Sequence, residues 1–233
     1  MKKALWVGLS LLAAGCGHMH RHPGGPPTVM ASGQGKITGT PDKATVTVAA
    51  ISEAKEAETA AAQSAAVQTQ IVDAAKVIVG AEGSVQTTSY SLNPVYDYTD
   101  NKQILRGYQV RNAITVELWN TKSVGPLIDA AVKAGASEVN SISFGLRDGT
   151  ALRQKAIAAA SKDALREATA AAEGLGLKVG EVRNVAVGST SGSMPVPMEK
   201  FARVAAVSDA TPVEAGSVDM TATVTIEVQL VKP

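Results

Sequence analysis

The chain has 233 residues, enough for one medium domain or two small ones sharing a core. Its 22 basic and 21 acidic residues are well mixed, so no basic stripe points to nucleic acid and no acidic tail to a basic partner. The single cysteine, Cys16, excludes any disulfide within the chain, and the three histidines all stand near the N-terminus, at His18, His20 and His22.

Residues 1–16, MKKALWVGLSLLAAGC, read as an export leader. Lys2 and Lys3 make the positive start, and Ala4 to Ala14 form an apolar run well short of the ~20 residues of a membrane-crossing helix. Leu12-Ala13-Ala14-Gly15-Cys16 resembles the lipobox at which bacterial lipoproteins are cleaved and acylated, with Ala13 where Leu is commonest. Cys16 is the expected lipidation site, and Gly17 rather than Asp after it favours the outer membrane, facing the periplasm. Ordinary cleavage nearby, giving a soluble periplasmic protein, is the alternative. Residues 17–32 read as a tether, because Pro23, Pro26, Pro27, Gly24 and Gly25 oppose helix. His18, His20 and His22 could catch Cu or Ni loosely. Without a rigid framework they read as solvated linker, and no metal or other cofactor is expected.

Gly33 to Gly39 opens the folded body ahead of a strand; its spacing is not that of a phosphate loop. Ala44 to Ala50 alternates apolar residues with threonine, the period of a half-buried strand. Ser52 is the expected N-cap of a helix running to about Val79, with Ala54, Ala57, Ala61, Ala65, Val72 and Ala75 as its packing stripe. Ser52 and Lys55 also match a four-residue nucleophile motif, but nothing else of that machinery accompanies them. Val85 to Leu118 reads as two long strands joined by a polar connection. Val110, Asn112, Ile114, Val116 and Leu118 share the packed face, and cross-strand aromatic pairing accounts for Tyr90, Tyr96, Tyr98 and Tyr108.

Asn120 or Thr121 starts a short helix that tolerates Pro126 in its first turn and ends at Gly135. Val139 to Leu146 is a strand. Thr150 to about Ala172 is an Ala-rich helix packing through Leu152, Ala156, Ala160, Ala164, Ala168 and Leu175. A strand from Glu181 to Val187 follows, then an irregular stretch from Gly188 to Gly216, then a last strand from Met220 to Leu230 with Ala222, Val224, Ile226 and Val228 inward. The order β-α-β-β-α-β, then α-β-β, predicts an α+β fold: an antiparallel sheet with helices on one face, a ferredoxin-like core and a Thr-rich opposite face. The two βα units flanking the hairpin would divide residues 33–233 into two interleaved α/β subdomains.

Several segments in order then resemble the SIMPL-domain family of bacterial envelope proteins. They are Gly33-Gln34-Gly35 with Pro41-Asp42-Lys43-Ala44, Val85 to Leu92, Gly107 to Asn112, Val124 to Ala131, Gly135-Ala136, Ile142-Ser143-Phe144 and Thr211 to Gly216. The resemblance covers Gly33 to Val231. It implies a periplasm-facing, non-enzymatic protein that forms ring-like or channel-like oligomers, in some bacteria tied to envelope or oxidative-stress protection and to immunogenicity. It brings no catalytic residues to carry over.

The residues themselves agree on the absence of an enzyme, because the body lacks both histidine and cysteine for nucleophilic or metal chemistry. The expected function is a lipid-anchored envelope module that forms homo-oligomers and meets the membrane through its anchor alone. A binding module for a small ligand or metal is the alternative. The expected contact surfaces are the loop with Met194, Val196, Met198 and Phe201, and the outer sheet face with Thr221, Thr223 and Thr225.

Overall fold

Apolar residues alternating with threonine and serine make about half of the described residues strand, and three alanine-rich or apolar-striped segments make the helices. The computed structural model describes residues 25–99, 102–188, 190–196 and 211–233. In chain order it contains β1 (Thr28–Gly39), β2 (Lys43–Ala54), α1 (Ala57–Val79), β3 (Ser84–Thr99) and β4 (Lys102–Leu118). A 3₁₀ turn (Thr121–Ser123) leads into α2 (Val124–Lys133), followed by β5 (Glu138–Gly145) and α3 (Thr150–Gly174). The chain closes with β6 (Lys178–Val187), β7 (Ser191–Val196) and β8 (Ser217–Val231).

The fold is α+β, as expected, but its strands form two antiparallel sheets rather than one. The first has the order β3-β4-β2-β5, with α1 joining β2 to β3 and α2 joining β4 to β5, the ferredoxin-like arrangement that the βαββαβ order predicts. The second has the order β1-β8-β6, with β7 beside the first part of β8. Its spine is the unbroken pairing of β1 with β8, from Thr28 opposite Gln229 to Gly39 opposite Val218.

Each sheet has its own core. Val46, Val48, Ile114 and Val116 of the first sheet pack with Ile71 of α1 and with Val124 and Leu127 of α2. Under α3 the core is built from small residues: Ala156, Ala160, Ala164 and Ala168, one per turn, lie on Val224, Ile226 and Val228 of β8. That stripe lets the helix sink onto β1. A Cβ on Gly33 would stand 2.1 Å from the Ala164 nitrogen, and one on Gly35 2.1 Å from the Ala156 carbonyl oxygen. Gly33-Gln34-Gly35 is thus a close-packing motif, in which the missing side chains set the distance between helix and strand.

Several expectations are corrected. β1 starts at Thr28, so five residues assigned to the tether are strand, and Gly33 to Gly39 lies within a strand rather than before one. Its glycines and polar residues hid a strand whose partner lies at the far end of the chain, Thr28 facing Gln229. Ser52 is no helix cap but belongs to β2, and Glu56 holds the cap position of α1. The buried stripe of α1 is Ala60, Ser64, Gln68, Ile71 and Ala75, a different phase from the expected one. Two of those five are polar, and Ser64 Oγ, both amide atoms of Gln68 and Asn112 Oδ1 have no hydrogen-bond partner among the described residues. Apolar patterning could not reveal such a stripe. Leu175 sits past the end of α3 and is exposed rather than packed. The stretch from Gly188 to Gly216 is not irregular throughout, since β7 lies within it.

Candidate functional site: the uncovered faces of the two sheets

The hairpin β3–β4 is longer than the sheet that carries it. β2 ends at Ala54, opposite Tyr108, while β3 and β4 continue pairing to Thr99 opposite Lys102. The helix α1 starts at Ala57 and runs back over the sheet, so the outer part of the hairpin projects as an arm. Along β3 from Ser89 the period of two puts Tyr90, Leu92, Pro94, Tyr96 and Tyr98 on one face. Tyr90 faces Asn112 and Leu92 faces Val110, both buried, which makes this the helix-side face continued outward. Leu105, opposite Tyr96, adds to it. Tyr90, Leu92, Tyr96, Tyr98 and Leu105 are between 36% and 77% exposed, so the packed face of the sheet runs on with none of the described helices over it.

The opposite face of the arm is held by charge. Arg106, the extra residue of a bulge opposite Val95 and Tyr96, reaches Glu53 at 2.6 Å and lies 3.9 Å from Asp97. Gln109 also donates to Glu53 at 2.6 Å, and Arg111 pairs with Glu138 at 2.7 Å while donating toward Ser89. No tyrosine stands directly opposite another, so directly opposed aromatic pairs do not account for them. Their partners are Asn112 for Tyr90, Leu105 for Tyr96, Gln103 for Tyr98 and Pro94 for Tyr108.

A second uncovered face lies on the other sheet. The helix α3 packs on β1 and β8 and barely reaches β6. Val182, Val185 and Val187 of β6 pair with Val228, Ile226 and Val224, so they share the core-facing side of the sheet. All three are nonetheless about half exposed. Asp163 of α3 accepts from the Gln34 backbone N–H at 2.9 Å on the β1 side, and Leu165 lies on the opposite flank, 45% exposed. α3 and β6 thereby form a step whose floor is the apolar face of β6, while Leu165 stands on α3 among Lys162, Arg166, Thr169 and Glu173. Among the described residues no three or more His, Cys, Asp or Glu side chains come together as a metal site would require.

Of the residues expected to matter, those of β7 and β8 are brought side by side, because β7 pairs with β8 from Ser191 opposite Thr221 to Val196 opposite Ser217. Thr221, Thr223 and Thr225 lie on the face of β8 away from α3, with Thr223 exposed and the Thr225 hydroxyl 2.9 Å from that of Ser32. Met194 and Val196 lie on β7. Met198, Phe201, Cys16, His18, His20 and His22 are outside the described residues. Sequence reasoning missed the arm as an uncovered surface, although its alternation of Tyr and Leu with Ser, Asn and Asp outlasts β2 by several residues.

On the same outer face Asp219 is buried against β1, with the Lys36 ammonium at 2.8 Å and the Thr38 hydroxyl at 2.7 Å. The Lys36 contact first, then the Thr38 hydrogen bond, hold its carboxyl below the ordinary value of 3.8. A lowered value in the folded state means a stabilising contribution fully present above the unfolded value and lost as pH falls through the folded one. Acid titration of stability should therefore show a loss below about pH 4 that Asp219→Asn reduces, read by melting temperature between pH 2 and pH 6. An unchanged acid limb in the variant would contradict this.

The fold and its faces define an α+β module with two sheets, each with part of its core-facing side left open by the described helices. The chain belongs to the SIMPL family, described as a protein of unknown function (DUF541), whose model matches residues 29–228. It is 31% identical over 212 residues to the "Uncharacterized protein YggE" of Escherichia coli K12, covering 91% of this chain and 82% of that one. It is 25% identical over 199 residues to the "26 kDa periplasmic immunogenic protein" of Brucella melitensis, covering 82% of this chain and 80% of the relative. A YggE of Edwardsiella ictaluri is 28% identical over 160 residues, 68% of this chain and 67% of its own length.

Proposed function

We propose that this chain is a non-enzymatic envelope module, held at the outer membrane by a lipid on Cys16, facing the periplasm and assembling with copies of itself. The observation that carries the self-association is the arm: a continuous Tyr/Leu face that none of the described elements covers, of the size and kind that marks a contact surface. The near-neutral balance, formally +1, leaves little repulsion between copies. The envelope assignment is supported by the leader and lipobox of residues 1–16 and by the periplasmic name of the Brucella relative. Among the described residues no helix is long and apolar enough to cross a membrane. A protective role in envelope or oxidative stress belongs to the same proposal, as the family resemblance implies.

Two experiments test it. Cys16→Ser should move the protein from the membrane fraction to the soluble periplasm; a variant that fractionates like wild type, or a mature N-terminus beyond Cys16, rules out the anchor. Cross-linking of wild-type cells should trap species above the monomer mass, and monomer alone at increasing cross-linker would count against assembly.

A further inference from the structure

A two-layer α+β unit is complete when each apolar face is covered. Here the described residues of one chain leave two such faces open, on different sheets. The arm offers the apolar side of a β-hairpin through Tyr90, Leu92, Tyr96, Tyr98 and Leu105. The step between α3 and β6 offers a strand face, Val182, Val185 and Val187, walled on one side by Leu165. The step has room beside its one helix for a second element, and the arm is an element without a floor. We propose that the arm of one copy seats in the α3–β6 step of the next, so that a repeated head-to-tail contact covers both faces.

Areas support the pairing. Taking roughly 200 Å² for an aromatic side chain and roughly 150 Å² for an aliphatic one, the exposed fractions come to roughly 500 Å² on the arm and roughly 250 Å² on the step. Together that approaches the apolar share, about 900 Å², of a standard-size interface. Two features disfavour pairing by edge addition along β3. Pro94 has no backbone N–H to donate, and bulges at Thr88 and Arg106 break the regular ladder. A lipid surface fits less well, because the arm carries no basic cluster and Arg106 is engaged by Glu53. The contact is heterologous, so a closed ring or an open filament follows from it rather than an isolated two-fold dimer.

This inference rests on the self-association reading, and mixing variants separates the two. In the Cys16→Ser background, an arm variant (Tyr96→Asp with Tyr98→Asp) and a step variant (Val185→Asp with Val187→Asp) are purified separately. All four positions are exposed, and the milder pairs Tyr96→Ser with Tyr98→Ser and Val185→Thr with Val187→Thr stand in if circular dichroism shows a loss of fold. Each variant alone should associate roughly 30-fold or more weakly than the parent. Mixed in equal amounts, they should form a dimer and nothing larger, because the arm variant keeps its step and the step variant keeps its arm. A parent multimer unaffected by either variant, or a mixture that stays monomeric, overturns arm-in-step docking while leaving self-association standing. A step variant that dimerises alone shows arm-to-arm contact and overturns it equally. A monomeric parent removes both readings.

Discussion

Gly35→Val should cost the β1–β8–β6 layer about 3 kcal/mol or more, measured by urea unfolding of the Cys16→Ser protein. The position is buried, and a Cβ there would lie 2.1 Å from the Ala156 carbonyl oxygen and 2.6 Å from the Ala160 nitrogen. Both neighbours are helix backbone, so no side-chain rotation can relieve the overlap and α3 itself must lift. Lifting it opens the contacts of Ala156, Ala160, Ala164 and Ala168 with β8, which make up most of this small-residue core. Gly33→Val should behave similarly, because its Cβ meets the Ala164 nitrogen and the Ala160 carbonyl at 2.1 and 2.3 Å. A melting temperature within a degree or two of the parent for both variants would refute the close-packing account of the motif.

The second large effect is expected in the other core. Ile114 is among the largest side chains buried there, 1% exposed, on the β4 face that meets the helices. Ile114→Ala should cost about 2–5 kcal/mol, the sum of lost burial and the cavity left behind. Ile114→Val should cost about 0.5–1.5 kcal/mol, so the pair gives a graded series in one unfolding experiment. The arm lies beyond this core on the same hairpin, which lets the series show whether the arm's assembly depends on the stability beneath it. A loss below about 1 kcal/mol for Ile114→Ala would mean that the site collapses around the change or is less packed than described.

Local periodicity carried most of the elements. β2, β4 and β8 alternate cleanly, and α3 spaces its alanines by four, so their existence and inward faces could be read from the residues. What remained hidden depends on distant partners. β1 looks like loop because of Gly33, Gly35 and Gly39; it is strand because β8 supplies its ladder and α3 needs those glycines. The division into two sheets hides for the same reason, since strand periodicity names a face but not a neighbour. The expected surface on the loop and on the threonines of β8 is a separate face from the uncovered ones, with Thr225 and Ser32 in contact across the strands and Thr223 exposed. The uncovered faces come instead from what the helices fail to reach: α1 starts too late to cover the arm, and α3 sits too near β1 to cover β6. Neither follows from composition.

The most direct test of the account is the solution mass of the Cys16→Ser protein, measured by sedimentation equilibrium from submicromolar to tens of micromolar. Self-association through the uncovered faces predicts a multimer of defined mass that dissociates on dilution and that Tyr96→Asp with Tyr98→Asp reduces to monomer. A monomer across the whole range, with the fold intact by circular dichroism, would contradict the account.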